Sequence, residues 1–436
     1  MKKTKDQFLA TALKCIRMTK INIIFSTKSE ENTNNIIESI VKSNSFDKNK
    51  NYILSIVIFD KTIKQIIESK LERFALNIKV IDLTAIKKLE KKYSHFFSTA
   101  NCSTKIDSIQ RARIQQQIYI IDNFEIFKYS VIWQVDDDML FGRSEFKNNN
   151  HTVNYTTNYF SEIVNMYHKN ENIDAIISPS TYVPPIPSLL YCQSQLNAFF
   201  NGKHIPEAKI IQSEYHDYYN QANHDTNYSV LLSNTKDKKT IVKNILIGKP
   251  ITKISFVNNI NVSPEFTMSK LLRGGNFIVF NSEIFRIPHL GFSESNNIPA
   301  RRSDMIHSHL LTEIGFQIRD ISFFSLVHNC TFSTSSIENS SEKYFSDMIG
   351  ALLVSYLYKG ETEFTNRLLF YQKHIKNILE LLHKNINKDE FKNEIDRLIE
   401  LDIQINSFDR NHFINEFEKF IITQEKLKSQ LCKLAS

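Results

Sequence analysis

Short apolar runs alternate with amphipathic segments along the first part of this chain, and this alternation is the strongest constraint on its fold. Residues 21–26 (INIIFS), 53–59 (ILSIVIF) and 78–83 (IKVIDL) are predicted as strands. Residues 33–42, between the first two, bring four aliphatic side chains to one face of a predicted helix. Strands that are apolar on both faces and alternate with such helices are typical of a parallel sheet covered on each side. The sequence therefore predicts an α/β fold.

The same pattern continues and is then interrupted. A helix is predicted over residues 109–122 and a strand over residues 131–135. Residues from about 150 to 270 are rich in Asn, Tyr and His, and we interpret them as a polar, irregular insertion around a strand at 175–177. Ordered sheet returns at residues 276–280.

The last part of the chain has a different pattern. A Ser/Thr-rich segment at residues 331–341 precedes long 3.6-residue periodicity that continues to the end. We therefore expect an α/β domain over residues 1–335, including the insertion at about 150–270, and an α-helical domain over residues 342–436. If the protein forms a homo-oligomer, we expect the C-terminal helices to mediate it.

Composition narrows the class of protein. The net charge of +7 is spread along the chain without a run of like charges, so nucleic-acid binding is not indicated. The five cysteines are far apart and form no CxxC pair, which indicates reduced thiols in a cytoplasmic protein. The longest apolar run, residues 348–358, is too short to cross a bilayer, so no transmembrane segment is expected. The first residues lack the continuous apolar segment of a signal peptide.

Three consecutive carboxylates, Asp136, Asp137 and Asp138, follow the predicted strand at 131–135. Carboxylates this close repel one another, and a hard divalent cation relieves the repulsion through oxygen coordination. A cation such as Mg²⁺ or Mn²⁺ that is held by one or two side chains usually completes its shell with phosphates. The alternative is a solvated loop in which one Asp caps a turn. The position after a buried strand favours a metal and phosphate site.

Polar residues also end the first two predicted strands. Ser26 and Thr27 follow the first strand, and Asp60 follows the second. Ligands of open α/β sheets bind beyond the carboxyl ends of the strands. We therefore expect these three residues to lie near the carboxylates.

The segment VIWQVDDDMLF resembles the DxD motif of GT-A fold glycosyltransferases, which use nucleotide-sugars, and in particular of inverting family-2-like enzymes. The resemblance spans roughly residues 20–335 and implies a GT-A-like, Rossmann-like sheet that is mostly parallel. It implies that Asp136 and Asp138 bind Mn²⁺ or Mg²⁺ and that Asp136 and Asp137 contact the donor. Ser26, Thr27 and Asp60 stand where such enzymes hold the nucleoside.

Two further segments fit the resemblance in order. The stretch RARIQQQIY, with Arg111 and Arg113, precedes the DxD by one helix, as a diphosphate-facing helix does in many such enzymes. Gly274 and Gly275 lead into FIVF in a way that is similar to the Gly-rich turn before the acceptor-side strand. A plain tight turn before a strand explains the two glycines equally well.

The remaining candidates lie near the end of the α/β region. Asp304, in the segment RRSD, is similar to the acidic motif whose carboxylate acts as the catalytic base, although the usual acidic pair is here Ser303 and Asp304. An Asp in the first turn of a helix is otherwise a favourable dipole contact. His328 matches a late histidine that binds the metal in several GT-A enzymes, whereas a lone His after an apolar run is often only packed or solvent-facing.

The resemblance implies a glycosyltransferase of the hexosyl or N-acetylhexosaminyl class that uses a nucleotide-sugar, with UDP as the expected nucleotide, and inverts the anomeric centre. The acceptor stays open among a saccharide, a lipid-linked glycan, a protein and a small molecule. One alternative is a nucleotidyltransferase acting on a sugar phosphate, although residues 26–34 lack the Gly-rich loop typical of that class. Another is a non-catalytic binding or scaffold protein on a decayed transferase fold, which the intact Asp136, Asp138 and Asp304 disfavour.

Overall fold

The structure of the chain, a computed structural model, covers most of the α/β region and most of the C-terminal helices. The residues that it describes are 18–61, 71–100, 108–147, 150–169, 173–178, 180–182, 189–201, 227–231, 237–247, 252–256, 276–292, 298–329 and 340–435. Gly274, Gly275 and most of the Ser/Thr-rich segment lie outside the described residues.

A seven-stranded sheet forms the centre of the described chain. From one edge to the other its strands are β13 (Ile318–Asp320), β8 (Ala175–Ile177), β12 (Asn276–Val279), β4 (Ser130–Val135), β1 (Thr19–Thr27), β2 (Tyr52–Asp60) and β3 (Asn77–Ile81). Neighbouring strands are parallel except at β12, which is antiparallel to both β4 and β8. The carboxyl ends of the other six strands therefore lie along one edge of the sheet.

Helices cover both faces of this sheet. The α-helices are α1 (Glu30–Phe46), α2 (Leu83–Lys92), α3 (Ser94–Ala100), α4 (Ser108–Asp122), α5 (Phe124–Phe127), α6 (Tyr159–Lys169), α7 (Leu189–Phe200), α8 (Lys238–Leu246), α9 (Ser303–Ile314), α10 (Ser340–Lys359), α11 (Glu361–Asn385), α12 (Lys392–Asn406) and α13 (Arg410–Ala435). On β1, Ile23 joins the apolar cluster that contains Ile36 of α1, whereas Ile24 joins the one that contains Ile114 of α4. Successive side chains of a strand point to opposite faces, which explains why the strand is apolar throughout.

A second, smaller sheet lies beside the carboxyl edge of the first. Its strands are β10 (Asn227–Leu231), β11 (Thr252–Phe256), β9 (Ser180–Tyr182), β14 (Leu326–His328) and β5 (Met139–Leu140), in that order, and β6 (Arg143–Lys147) pairs with β7 (Asn150–Asn154) as a separate hairpin. His328 stands opposite Met139 in the antiparallel pairing of β14 with β5. This pairing joins the end of the α/β region to the turn that follows β4.

The prediction that residues 150–270 are irregular is wrong for the part that the structure describes. Three helices, α6 to α8, lie in this stretch. Helix α6 buries Phe160, Ile163 and Val164 at helical spacing, because these side chains complete the apolar cluster on the α1 side of the sheet. The periodicity is present in the sequence among many Asn and Tyr residues.

The C-terminal helices α10 to α13 pack directly on the α/β region. Phe292, before α9, contacts Phe413 of α13 with ring centroids 5.3 Å apart. Phe413 belongs to the same buried apolar cluster as Ile24 and Ile114. The helices thus extend the core on the α4 side of the sheet, while the division of the chain into two domains and assembly through these helices stay predictions.

The predicted fold class is confirmed. The described chain has a mostly parallel, Rossmann-like sheet with flanking helices, and a helical region follows it. In the described ranges, none of the helices combines the length and the apolar character needed to span a membrane.

Candidate active site

The three carboxylates lie in the turn between β4 and β5, at the carboxyl edge of the large sheet. Met139 N donates a hydrogen bond to Asp136 O at 3.2 Å across this turn. Thr27, the last residue of the adjacent parallel strand β1, donates from Oγ1 to Asp137 Oδ2 at 2.8 Å. Burial raises the pKa of Asp137 above its ordinary value, although the Thr27 hydrogen bond opposes the increase. The sheet order therefore brings together the polar ends of two strands that the sequence singled out.

Asp138 and His328 are in contact. Asp138 Oδ2 lies 3.0 Å from His328 Nε2, and Asn329 N donates to Asp138 O at 2.7 Å. Burial opposes ionisation of Asp138, but the charge and the hydrogen bond of His328 outweigh it, so the pKa of Asp138 lies below its ordinary value. The other carboxylate oxygen, Asp138 Oδ1, is buried without a hydrogen-bond partner among the described residues.

Arg113 of α4 links two of the predicted acidic residues. Its side chain is only 4% exposed, and its Nη2 donates to Asp136 Oδ1 at 2.6 Å. Its Nε lies 3.5 Å from Asp304 Oδ1, and its Nη1 donates to Val135 O at 3.4 Å. A buried guanidinium that is held by two carboxylates and a carbonyl has a fixed position, which suits recognition of a further anion.

Asp136 differs from Asp138 in its electrostatic environment. Burial raises the pKa of Asp136 above its ordinary value, and Asp138, Asp304 and Asp137 raise it further, while Arg113 opposes them. The Asp136 side chain is nevertheless 41% exposed, so solvent in the cleft screens part of this repulsion. Positive charges near these carboxylates would relieve the repulsion that remains between them.

Asp304 lies in the first turn of α9, and its side chain is 25% exposed. Its Oδ1 is 3.5 Å from the Nε2 of His289, which in turn packs against His307 with ring centroids 4.6 Å apart. Burial lowers the pKa of His289 to about 3, and the positive charge of Arg113 adds to this. His289 is therefore neutral at ordinary pH. The sequence analysis did not identify it, because only the tertiary structure brings it to Asp304.

An open cleft of about 320 Å³ lies in front of these residues. Its walls combine the ends of β1, β2 and β4 with one face of α4 and the turn before α9. The lining residues are Ser26, Thr27, Lys28, Lys61, Ser108, Ile109, Ala112, Arg113, Gln116, Val135, Asp136, Asp137, Asp138, Arg301 and His328. Asp304 is not one of them, but its Oδ1 lies 3.5 Å from Nε of the lining residue Arg113. Basic and acidic side chains thus face one another across a volume that suits a small anionic ligand with a cation.

The sequence analysis missed several polar residues of the cleft, among them Lys28, Lys61, Gln116 and Arg301. Lys28 and Lys61 directly follow β1 and β2, and burial together with the charges of Lys28 and Arg111 lowers the pKa of Lys61. Gln116 donates from Nε2 to Ser26 Oγ at 2.9 Å, which fixes the serine hydroxyl at the end of β1. The two lysines were detectable from the rule that ligands bind beyond the strand ends.

Other predicted site residues lie elsewhere. Arg111 forms a bidentate ion pair with Glu90, at 2.7 and 2.8 Å, on the surface of α4 and α2. Asp60 is buried at the end of β2, next to Thr27 in the strand register, but it is not among the residues that line the cleft. Gly274 and Gly275 lie outside the described residues.

The donor atoms of the cleft fit a hard divalent cation. Asp136 and Asp138 supply carboxylate oxygens, and the buried Asp138 Oδ1 has no protein partner in the described chain. In the part of the chain that the structure describes, no three His, Cys, Asp or Glu side chains are already arranged as a complete metal site. A cation that completes its shell with waters and ligand phosphates needs only one or two carboxylates, so the incomplete set is what such a site requires.

Comparison with known proteins gives only distant similarities. A scan of models of protein families finds no match for the chain, and neither does a search of curated protein sequences. Among solved structures, the chain is similar to the mannosyltransferase PcManGT from Pyrobaculum calidifontis in complex with GDP-Man and Mn²⁺, with 8% identity, 90% of this chain and 88% of that chain covered, and a TM-score of 0.38. It is also similar to glucosyl-3-phosphoglycerate synthase from Mycobacterium tuberculosis in complex with Mn²⁺, UDP-glucose and phosphoglyceric acid, with 10% identity, 79% and 81% covered, and a TM-score of 0.35. Similarities this weak carry no argument about the function of this chain.

Proposed function

We propose that this chain is a metal-dependent glycosyltransferase that moves a sugar from a nucleotide-sugar to an acceptor hydroxyl. One observation carries the proposal: Asp136 and Asp138 share a cleft at the carboxyl edge of the sheet with the buried Arg113. A nucleoside diphosphate needs three things that this cleft combines. They are carboxylates that hold a cation, a fixed guanidinium that binds phosphate, and a volume of about 320 Å³.

The donor would lie across the ends of β1, β2 and β4. Ser26 and Thr27, which line the cleft, would contact the nucleoside, and Lys28 and Lys61 would add positive charge there. Asp136 and Asp138, with His328, would hold Mn²⁺ or Mg²⁺. The cation, when bound, would neutralise the diphosphate as it leaves.

Asp304 is the proposed catalytic base. The acceptor oxygen forms a bond to the anomeric carbon as the bond from that carbon to the diphosphate breaks, and Asp304 takes the acceptor proton. Arg113 Nε and the Nε2 of the neutral His289 each lie 3.5 Å from the Asp304 carboxylate. Attack from the side opposite the leaving group gives inversion.

The finer assignments are also proposals. We propose UDP as the nucleotide and a hexosyl or N-acetylhexosaminyl group as the sugar, in a cytoplasmic enzyme. Asp60, Arg111, Gly274 and Gly275 are proposed donor contacts by resemblance alone. The acceptor class is a saccharide, a lipid-linked glycan, a protein or a small molecule.

A panel assay tests the proposal. The purified protein is incubated with UDP- and GDP-sugars and Mn²⁺ or Mg²⁺, and release of the nucleoside diphosphate is measured. We expect release from at least one nucleotide-sugar. Pyrophosphate exchange with a nucleoside triphosphate and a sugar 1-phosphate would indicate a nucleotidyltransferase instead, and absence of both reactions would contradict a catalytic role.

A further inference from the structure

Helix α10 of the C-terminal region packs against the backbone turn that precedes α9. Arg301 N donates to Ser346 O at 3.1 Å, and Ser346 Oγ donates to Pro299 O. At Gly350, a Cβ atom would lie only 2.0 Å from Arg301 O, so only a glycine permits the helix to approach this closely. The backbone of the turn is therefore in direct contact with the backbone of α10.

A buried ion pair fixes the same turn. Arg302 donates from Nε to Asp347 Oδ1 at 3.2 Å and from Nη2 to Asp347 Oδ2 at 3.0 Å, and both side chains are 4% exposed. Arg302 is the N-cap residue of α9 and has a φ of 70°. This left-handed conformation is uncommon for a residue with a side chain and persists where the surroundings enforce it.

Arg301 directly precedes Arg302 in the chain, and Asp304 follows Ser303 in the first turn of α9. Arg301 lines the cleft together with the three carboxylates, and Asp304 contacts Arg113 at 3.5 Å. The turn that α10 contacts therefore carries the cleft residue Arg301 and leads into the proposed base Asp304.

We propose that Asp347 and Gly350 are positioning residues, which act through Arg302 and Arg301 to hold Asp304 and Arg301 in their working positions. This inference rests on the proposed glycosyltransferase function. It makes α10 a part of the active site and not of a separable module. Asp347 itself touches no ligand in this scheme, since its partner is the buried Arg302.

Kinetics of two variants test the inference. Asp347→Asn keeps the side-chain volume but removes the charge, and Gly350→Ala forces the helix away from Arg301 O although alanine favours a helix more than glycine does. A displacement of about 1 Å at a reacting group can cost about 10²-fold in rate. We therefore expect each variant to lower kcat by roughly 10- to 100-fold through Asp304. We also expect weaker binding of the nucleoside diphosphate, because Arg301 lines the cleft.

A double-mutant cycle separates positioning from general loss of stability. If Asp347 acts through Asp304, Asp347→Asn should reduce the rate much less in an Asp304→Asn protein than in the wild type. Equal fold-losses in both backgrounds would overturn the inference. Leu401→Ala, which removes a buried side chain of α12, is the control for lost stability and should leave kcat unchanged at a temperature where the protein stays folded.

Hydrogen exchange provides a readout that does not depend on turnover. In Asp347→Asn we expect faster exchange in peptides from residues 298–306, with the β4 peptides unchanged, and no such local change in Leu401→Ala. Unchanged exchange in residues 298–306 would overturn the positioning role. If the wild-type protein releases no nucleoside diphosphate, the proposed function fails, while the exchange result still decides whether Asp347 holds the turn.

Discussion

Asp138 Oδ2 lies 3.0 Å from His328 Nε2, although 190 residues separate them in the chain. The contact follows from the pairing of β14 with β5, which sets His328 opposite Met139, the residue after Asp138. Asn329 N reinforces it by donating to Asp138 O at 2.7 Å. The small sheet thus brings a late histidine to the carboxylates that end β4, and both side chains line the cleft.

We predict that Asp138→Asn abolishes metal-dependent turnover and leaves the fold intact. The substitution removes a carboxylate charge that the proposed cation needs, while the amide preserves the volume of the side chain. Release of nucleoside diphosphate in the presence of Mn²⁺ and the melting temperature are the measurements. Asp396→Asn on the exposed face of α12 is the matched control and should behave like the wild type. A folded Asp138→Asn protein with wild-type turnover would contradict the assignment of Asp138.

Arg113 and Arg111 allow a paired test on one helix. Arg113→Met leaves Asp136 without its buried partner, and we expect a loss of about 3 kcal/mol in the free energy of unfolding, the lower end for a broken buried pair because Asp136 is 41% exposed. Arg111→Met breaks only the exposed pair with Glu90 and should cost about 0–1 kcal/mol. Denaturant unfolding of both variants checks this. Equal losses would mean that the buried pair of Arg113 contributes no more to the free energy of unfolding than the exposed pair of Arg111 does.

The variant Asp304→Asn distinguishes between two roles of Asp304, as the catalytic base and as a residue that only interacts with the dipole of α9. Loss of a general base lowers the rate by about 10²- to 10⁴-fold, and donor affinity should hardly change because Asp304 does not line the cleft. A turnover assay beside calorimetric nucleotide binding measures both quantities. Normal turnover with a slightly lower melting temperature would remove Asp304 from the chemistry and, with it, the basis for inversion.

The burial of His289 predicts a pH dependence of stability. Its pKa is about 3 in the folded chain, against an ordinary value of 6.5, so it stays neutral when folded while the unfolded chain binds a proton below pH 6.5. Its contribution is complete above pH 6.5 and is lost as the pH falls towards 3. The stability difference between the wild type and His289→Gln should therefore shrink by about 2 kcal/mol from pH 7 to pH 5.

Urea unfolding at the two pH values measures this difference. A difference that stays constant between the two pH values would show that His289 does not stay neutral in the folded state.

The sheet was predictable because the sequence of each of its long strands shows a recognisable apolar pattern. The strands at 19–27, 52–60 and 130–135 are apolar on both faces, and this pattern identifies a covered parallel strand without tertiary information. The described helices within residues 150–270 were missed although α6 has a clear apolar stripe, because polar composition was given more weight than periodicity.

The site was predictable only where it depends on strand ends. Thr27 and Asp137 meet because their strands are neighbours, which the rule for open sheets anticipates. Arg111 and Arg113 are about 200° apart around a helix, so the sequence indicates that they face different ways but not which of them faces the carboxylates. His289 carried no sequence signal, since its contact with Asp304 depends on how the segment before α9 packs.

Removal of the metal tests the central proposal most directly. Release of nucleoside diphosphate from the active nucleotide-sugar is measured for the wild-type protein before chelation with EDTA, after it, and after Mn²⁺ is restored. We predict that release stops on chelation and returns with Mn²⁺, and that Asp138→Asn shows no release at any stage. Release that continues at an unchanged rate after all divalent cation has been removed would contradict a metal-dependent glycosyltransferase.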